Sequence, residues 1–272
     1  MKWYGKLYVS LVLLCLYVPI VVMMVYSFNS AGSMTGFKGF TWSHYESLFQ
    51  NKRMLQIVLN TIAVSLLSSS IATVIGVLGA IGIYHIRNQL MKRSILSMNQ
   101  VLLVSSDVVI GASFLVLFTV IGNLTGLHLG FWTVLISHIA FSIPIVVIIV
   151  LPMLYRINQS EFLASEDLGA SRTETYRYIV LPQIYPGVLS GFLMALTYSL
   201  DDFTVSFFVT GNGFSVLSVE IYAMARRGIS LEINALSTII FVIIMVMLFG
   251  YHILKGLLKK RSLTLNEKGV TR

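Results

Sequence analysis

Apolar residues in this chain come in long uninterrupted runs, not in the short periodic stripes of a soluble protein. No Asp, Glu, Lys or Arg occurs between Lys6 and Lys38 or between Arg53 and Arg87, and only Asp107 interrupts the stretch from Arg93 to Arg156. About 20 apolar residues let a helix cross the hydrocarbon of a bilayer. The last stretch therefore holds two spans, split by the turn-rich GNLTGLHLG at 122–130. Two more apolar runs cover 187–210 and 233–256. The pattern predicts an all-α polytopic membrane protein with six transmembrane helices, over 7–28, 56–84, 95–119, 131–154, 187–210 and 233–256. Lys2 and Lys6 precede the first run as they would in a signal peptide. Its apolar length exceeds the roughly 7–15 residues of such a segment, so an uncleaved anchor is expected.

Composition agrees. Of 272 residues, 56% are hydrophobic and 11% charged, against about a quarter charged in soluble domains. The length suits one bundle in the lipid bilayer, a single transmembrane domain over 1–272. The net charge of +8 is not a nucleic-acid footprint, because the basic residues cluster between and beyond the apolar runs. With the N-terminus inside, only Lys38, Lys52, Arg53, Arg226 and Arg227 of the nineteen Lys and Arg residues lie outside. The positive-inside rule then puts both termini in the cytoplasm. Cys15 is the single cysteine, so neither an internal disulfide nor a cysteine-pair metal site is available, and no metal is expected.

The polar segments carry helix-terminus signals. In GFTWSHYESLFQN (39–51), Ser43 and Glu46 have capping-box spacing for a short outer helix. A second outer loop, about 211–231, holds Glu220, Arg226 and Arg227. The cytoplasmic loop at 155–186 contains FLASEDLGASRTETYRYIVLP (162–182). There Ser160 is a candidate cap, Gly169 a stop, and Ser171 with Glu174 a second capping box for a helix from Arg172 to Val180. Pro182 and Pro186 are expected to end that helix before the next span. A solvated connector is one reading of this loop. Its length and the small apolar Leu163, Ala164, Leu168 and Ala170 among its charges favour docking to a soluble partner.

Three acids stand inside the predicted spans: Asp107 in the third, Asp201 and Asp202 in the fifth. A carboxylate at that depth is costly unless paired or hydrated, and such residues face a bundle interior or a watery path. If the two helices start at the cytoplasmic face near Ile95 and Gly187, Asp107 lies about 18 Å and Asp201 about 21 Å deep, one shared level. Successive residues point about 100° apart, so only one of Asp201 and Asp202 can line a path. Tyr198 and Phe203 are candidate ring faces for an ammonium group. The set favours a cationic solute; structural pairing within the bundle is the alternative. Ser113 with His138 raises the remote alternative of an intramembrane serine hydrolase. No GxSxG, HExxH or phosphate-binding GxxxxGK[ST] occurs, so no catalytic residue is assigned.

The cytoplasmic stretch resembles the EAA signature of ABC importer permeases. Gly169, nine residues, Ile179, one residue, Leu181 and Pro182 match its spacing, while the E-A-A triplet is here Leu163, Ala164 and Ser165, with Glu166 and Asp167 following. The resemblance extends to 39–51 and LNTIAVSL (59–66). SSDVVIGASFLVLF (105–118), SHIAFSIPIVV (137–147), LDDFTVSFFVTG (200–211) and INALSTI (233–239) are similar to permeases of spermidine/putrescine importers. Ser106 stands where those relatives often have proline. The resemblance implies the type I ABC importer permease (MetI-like) fold in a bacterial cytoplasmic (inner) membrane. It implies a polyamine as solute, with thiamine or ferric iron permeases as the alternative. The implied partners are a second homologous permease subunit, an ATPase subunit dimer that binds ATP and Mg, and an extracytoplasmic substrate-binding protein. Residues 163–170 with Ile179, Leu181 and Pro182 would then couple to the ATPase, and Glu220, Arg226 and Arg227 would face the binding protein. No cofactor is expected on this chain itself.

Overall fold

The computed structural model describes residues 3–31, 36–227, 231–243 and 245–246. Five described helices are long and apolar enough to cross a membrane. Two compact units divide the chain, Gln56–Glu220 and the combination of Met1–Leu55 with Ile221–Arg272.

In the second of these, α1 (Trp3–Tyr26) is apolar on every side and buries no residue, as a helix solvated by lipid should. The turn after it is built on buried Asn29, whose amide accepts the backbone N–H groups of Ala31 and Lys38 and donates to Gly36 O. Phe28 stacks on Phe40 and Tyr45, with Trp42 edge-on. The short α2 (Ser43–Gln50) follows. The Ser43–Glu46 capping box does not form: Ser43 is already the first helical residue, and Thr41 Oγ1 accepts its N–H. Ser47 donates to Glu232 Oε1 at 3.2 Å, at the start of α12 (Leu231–Ile243). Residues 247–256 of the expected sixth span lie outside the described residues.

The Gln56–Glu220 unit is organised on α6 (Phe131–Leu154), the most buried helix of the five. Towards one end, α6 packs Val146, Val150 and Leu154 against Val77, Ala80 and Ile83 of α3 (Lys52–His85) and Ile184 of α9 (Leu181–Asp201). Towards the other, Val134 and Phe141 meet Val64 of α3, Ile110 and Phe118 of α5 (Asp107–Thr125), and Val205 and Val209 of α10 (Thr204–Val209). Lipid gives no hydrophobic drive between spans, so close packing through small residues supplies the cohesion. Val146 sits between two such residues. A Cβ on Gly76 would come within 2.7 Å of Val146 Cβ, and one on Gly191 within 3.3 Å of its Cγ1.

Three expected elements differ. The single helix expected over 95–119 is two, α4 (Gln89–Val104) and α5, because Ser105 and Ser106 adopt extended backbone. Asp107 therefore opens a helix, and a depth counted along one helix from Ile95 does not apply. The fifth run breaks at Asp202, whose backbone is extended, and resumes as α10. The proline exit after Val180 is absent. A helical path of 30 residues runs from Arg172 to Asp201. Within it, α8 (Arg172–Thr175) widens to a π turn at Tyr176–Val180, where Leu181 N–H reaches back to Tyr176 O. Pro182 falls in the first turn of α9, and the wider register just before it accommodates a residue that cannot donate.

Gly76→Ala should lower the stability of the purified chain in nanodiscs by roughly 1–3 kcal/mol, because Val146 Cβ cannot swing aside. Gly82→Ala, with nothing within 4 Å of its Cβ, should be neutral or gain up to about 1 kcal/mol in helix propensity. Thermal unfolding of the two variants side by side checks the contrast.

Candidate functional site

Of the three acids within the apolar runs, Asp202 is turned inward. Its Oδ1 accepts Val205 N–H at 3.2 Å and its Oδ2 accepts Ser206 N–H at 2.7 Å. It thus serves two amides at the start of α10 that lack intrahelical acceptors, both on buried residues, as a side-chain cap. Its own carbonyl accepts Ser218 Oγ at 2.7 Å. Asp201, one residue earlier and still helical, is exposed and has no hydrogen-bond or ion-pair partner among the described residues. The rotation of about 100° between neighbours resolves the two aspartates into one structural and one outward group.

Asp107 is also exposed, and its Oδ1 accepts the Tyr198 hydroxyl at 3.0 Å. The start of α5 and the last turns of α9 are therefore joined, three residues before Asp201. The Tyr198 ring packs edge-on to Phe141 at 5.0 Å, so one ring face is held by packing. Phe203 tilts against Phe207 at 5.5 Å.

Behind this group lies a polar cluster that sequence inspection weighed only as an isolated polar contact. His138 of α6 is 1% exposed. Its Nδ1 is 2.6 Å from Ser199 Oγ and its Nε2 2.9 Å from Ser206 Oγ, with Asp202 Oδ2 3.6 Å away. Ser199 Oγ is also 3.1 Å from Ser68 Oγ of α3. The signal was available as five polar residues on four otherwise apolar helices; a single sequence does not reveal that they converge. The pairing of Ser113 with His138 considered for a hydrolase is not formed. Ser113 is exposed and donates to Val109 O of its own helix at 2.7 Å, the usual habit of a serine in an apolar helix.

The cytoplasmic stretch forms a helix, a corner and a second helix. α7 spans Gln159–Asp167. Its first turn is served by Asn158 Oδ1, which accepts Ser160 N–H, and not by Ser160 as cap. Gly169 turns the corner at φ +78°, a left-handed conformation that suits glycine. Ser171 and Glu174 make the expected reciprocal capping box. Across the corner, Ser165 Oγ, buried, bonds Thr175 Oγ1 at 2.9 Å. A hydroxyl is used there, at the position where the EAA signature has its second alanine. Leu163, Ala164 and Asp167 are exposed on α7, Leu168 follows at 88% exposure, and Tyr178, Leu181 and Pro182 are also exposed. Ala170 and Ile179 are half-buried. The Glu166 side chain lies outside what is described. Glu161 accepts a hydrogen bond from Gln183 Nε2. His85, at the end of α3, donates from Nδ1 to Ile81 O and so accepts the Tyr176 hydroxyl at Nε2, 2.6 Å away.

On α11 (Leu217–Arg227), Glu220 is buried at 7% exposure while Arg226 and Arg227 are exposed. Of the three outer-loop candidates, only the arginines lie on the surface. Among the described residues no group of three or more His, Cys, Asp or Glu side chains could hold a metal.

Residues 72–263 match the family model described as "Binding-protein-dependent transport system inner membrane component". The chain is 38% identical over 239 residues to the spermidine/putrescine transport system permease protein PotC of Escherichia coli K12, covering 88% of this chain and 89% of that one. It is 36% identical over 228 residues to the Haemophilus influenzae PotC, covering 84% and 87%. The Escherichia coli putrescine permease PotI is 30% identical, over 83% of this chain and 81% of its own. Among solved structures, a bacterial ABC transporter that imports the acidic polysaccharide alginate aligns with a TM-score of 0.73 at 18% identity, over 92% of this chain and 93% of that one. The methionine transporter MetNI aligns at a TM-score of 0.59 and 16% identity, over 76% and 98%. At these identities the structural likeness concerns the fold.

The two aspartates should separate in a stability measurement. Asp202→Ala removes a cap and should cost about 0.5–2 kcal/mol, read as a lower thermal midpoint in nanodiscs. Asp201→Asn, an exposed group without partners, should stay within about 0.5 kcal/mol of the parent.

Proposed function

From the premise that the chain belongs to the binding-protein-dependent transport system inner membrane component family, we propose that it is a permease subunit of an ATP-driven importer for polyamines such as spermidine and putrescine. The observation that carries the reading is the 36–38% identity to PotC permeases over 84–88% of the chain. The chemistry of the site is consistent with that solute. Asp107 and Asp201 present carboxylates on the exposed surface of the helices that Tyr198 joins, and an oligoamine carries several ammonium groups to match them.

In this reading the chain crosses the inner membrane six times with both termini in the cytoplasm. It pairs with a second, related permease subunit, and the path lies between the two. Asp107, Asp201 and Tyr198 line the path; Asp202 shapes it from behind. Phe203 flanks the break. An extracytoplasmic binding protein delivers the solute, with Arg226 and Arg227 at the docking face. ATP and Mg are bound by a pair of separate ATPase subunits.

The geometry at Gly169 supports reading 162–182 as the coupling segment. Leu163, Ala164 and Leu168 offer a small apolar surface to the ATPase. The Ser165–Thr175 bond fastens α7 to α8 across the corner, so a push on α7 reaches α9 as a lever and not as a loose loop. The Tyr176–His85 bond passes part of that push to α3. The π turn is the compliant segment on the route.

In the native host, Asp107→Asn and Asp201→Asn should each lower the rate of labelled spermidine uptake at least tenfold while the subunit remains inserted. Unchanged polyamine uptake together with lost thiamine or iron uptake would transfer the reading to another solute. Gly169→Val should leave ATP hydrolysis by the assembled complex within about twofold but reduce solute imported per ATP by tenfold or more. Uptake with normal coupling would reduce the 162–182 stretch to a connector.

A further inference from the structure

The break between α9 and α10 sits beside Asp201 and Tyr198, and one side chain from a third helix holds both of its sides. His138 bonds Ser199, in the last turn before the break, and Ser206, in the first turn after it, at 2.6 and 2.9 Å. Both partners are hydroxyls, so either neutral tautomer satisfies the two contacts at once. Ser199 is further tied to Ser68, and the Ser206 amide is tied to Asp202. His138, Ser199 and Ser206 are all at least 98% buried. A histidine this deep in an apolar bundle is unfavourable unless its two nitrogens are met, and here they are met by residues on opposite sides of an interrupted helix.

We infer that His138 is a positioning residue: it clasps the interruption of span five and fixes the direction in which Asp201 faces the path. Asp202 has its carboxylate committed to the amides of α10, so the break cannot rotate without losing either those bonds or the clasp. Asp201, adjacent to Asp202, is carried by that constraint. Tyr198 precedes Ser199 directly, so the hydroxyl that reaches Asp107 is oriented by the same tether. The inference rests on reading Asp201 as a path residue but not on the identity of the solute.

The test uses accessibility. In a Cys15→Ser background, which removes the only native thiol, Asp201→Cys is introduced and the full transporter assembled in nanodiscs. The rate of labelling by aminoethyl methanethiosulfonate, a small cationic reagent, reports how residue 201 faces the aqueous path. His138→Leu should slow labelling about tenfold. His138→Gln, whose amide can reach Ser206, should restore it to within about threefold. Ser199→Ala cuts only the α9 side and should slow labelling about threefold; it decides the matter if His138→Leu does not assemble. Labelling as fast as the parent in assembled His138→Leu or Ser199→Ala complexes overturns the clasp. A parallel assay of spermidine uptake by the unmutated complex separates the two proposals. Uptake with an unchanged labelling rate retains the polyamine reading and removes the clasp. No polyamine uptake with slowed labelling does the reverse.

In the otherwise wild-type chain, His138→Leu should raise the KM for the transported solute more than it lowers the maximal rate, with His138→Gln in between. A general packing defect would instead lower the amount of assembled complex and the maximal rate together.

Discussion

A helix that stops inside hydrocarbon exposes backbone amides that lipid cannot satisfy. The interruption between α9 and α10 poses the same problem at Asp202, because Val205 and Ser206 are buried in the apolar bundle, and the surrounding structure is arranged around its solution. The carboxylate of Asp202 takes the amides of Val205 and Ser206, and the Asp202 carbonyl takes the Ser218 hydroxyl. A negative charge at the start of α10 also meets the positive end of that helix. Once the break is satisfied in this way, the residue before it is free to stay outward with an uncommitted carboxylate. The structural asymmetry between two neighbouring aspartates is thus a consequence of backbone hydrogen bonding.

Much of this was legible in the sequence, because the bilayer imposes strong and simple rules. Charge-free runs located three of the five long apolar helices within a few residues, α1, α3 and α6, and glycine and serine patterns located the corner at Gly169 and the box at Ser171 and Glu174. Helix interruptions were not legible. Ser105–Ser106 and Asp202 contain neither glycine nor proline, the residues that announce a break. At Asp202 the break is met by the amides of Val205 and Ser206 that follow it, and by Ser218 and His138 from other elements, which a local reading does not reveal. The prolines misled in the opposite direction. Pro182 suggested an end, yet the π turn at Tyr176–Val180 widens the register just before it, and the helical path runs on through a residue that cannot donate. The Ser43 cap failed for a related reason: the box spacing was present, but the helix had already begun.

The departures from the EAA pattern also acquire a physical account at one of their two positions. Ser165 is buried, and its hydroxyl reaches Thr175 across the glycine corner. Serine at the place of a second alanine is therefore a change of internal bracing and not of the exposed surface of α7. Leu163 is exposed on α7, and nothing within this chain explains why leucine stands where the signature has glutamate. Together with Leu168 it makes the exposed surface of the corner more apolar than the signature would.

Charge balance at the level of the acids constrains the assembly. Asp202 is compensated by amides and lies beside His138. Asp107 has one hydroxyl and Asp201 has no partner among the described residues. Two exposed carboxylates on the surface of a bundle of apolar helices are untenable against lipid, where each ionised group costs several kcal/mol. They are tenable against water. The surface that bears them must then be covered by something that keeps a wet cleft open, and an identical apolar face packed tightly upon it would not do so. On the proposed reading, a second subunit that closes around an aqueous path would meet the requirement, and cations entering the path would supply the missing countercharge. On that reading solute selectivity and subunit pairing are one electrostatic condition, because the same two carboxylates that would attract an oligoamine forbid the chain from presenting that face to the bilayer alone.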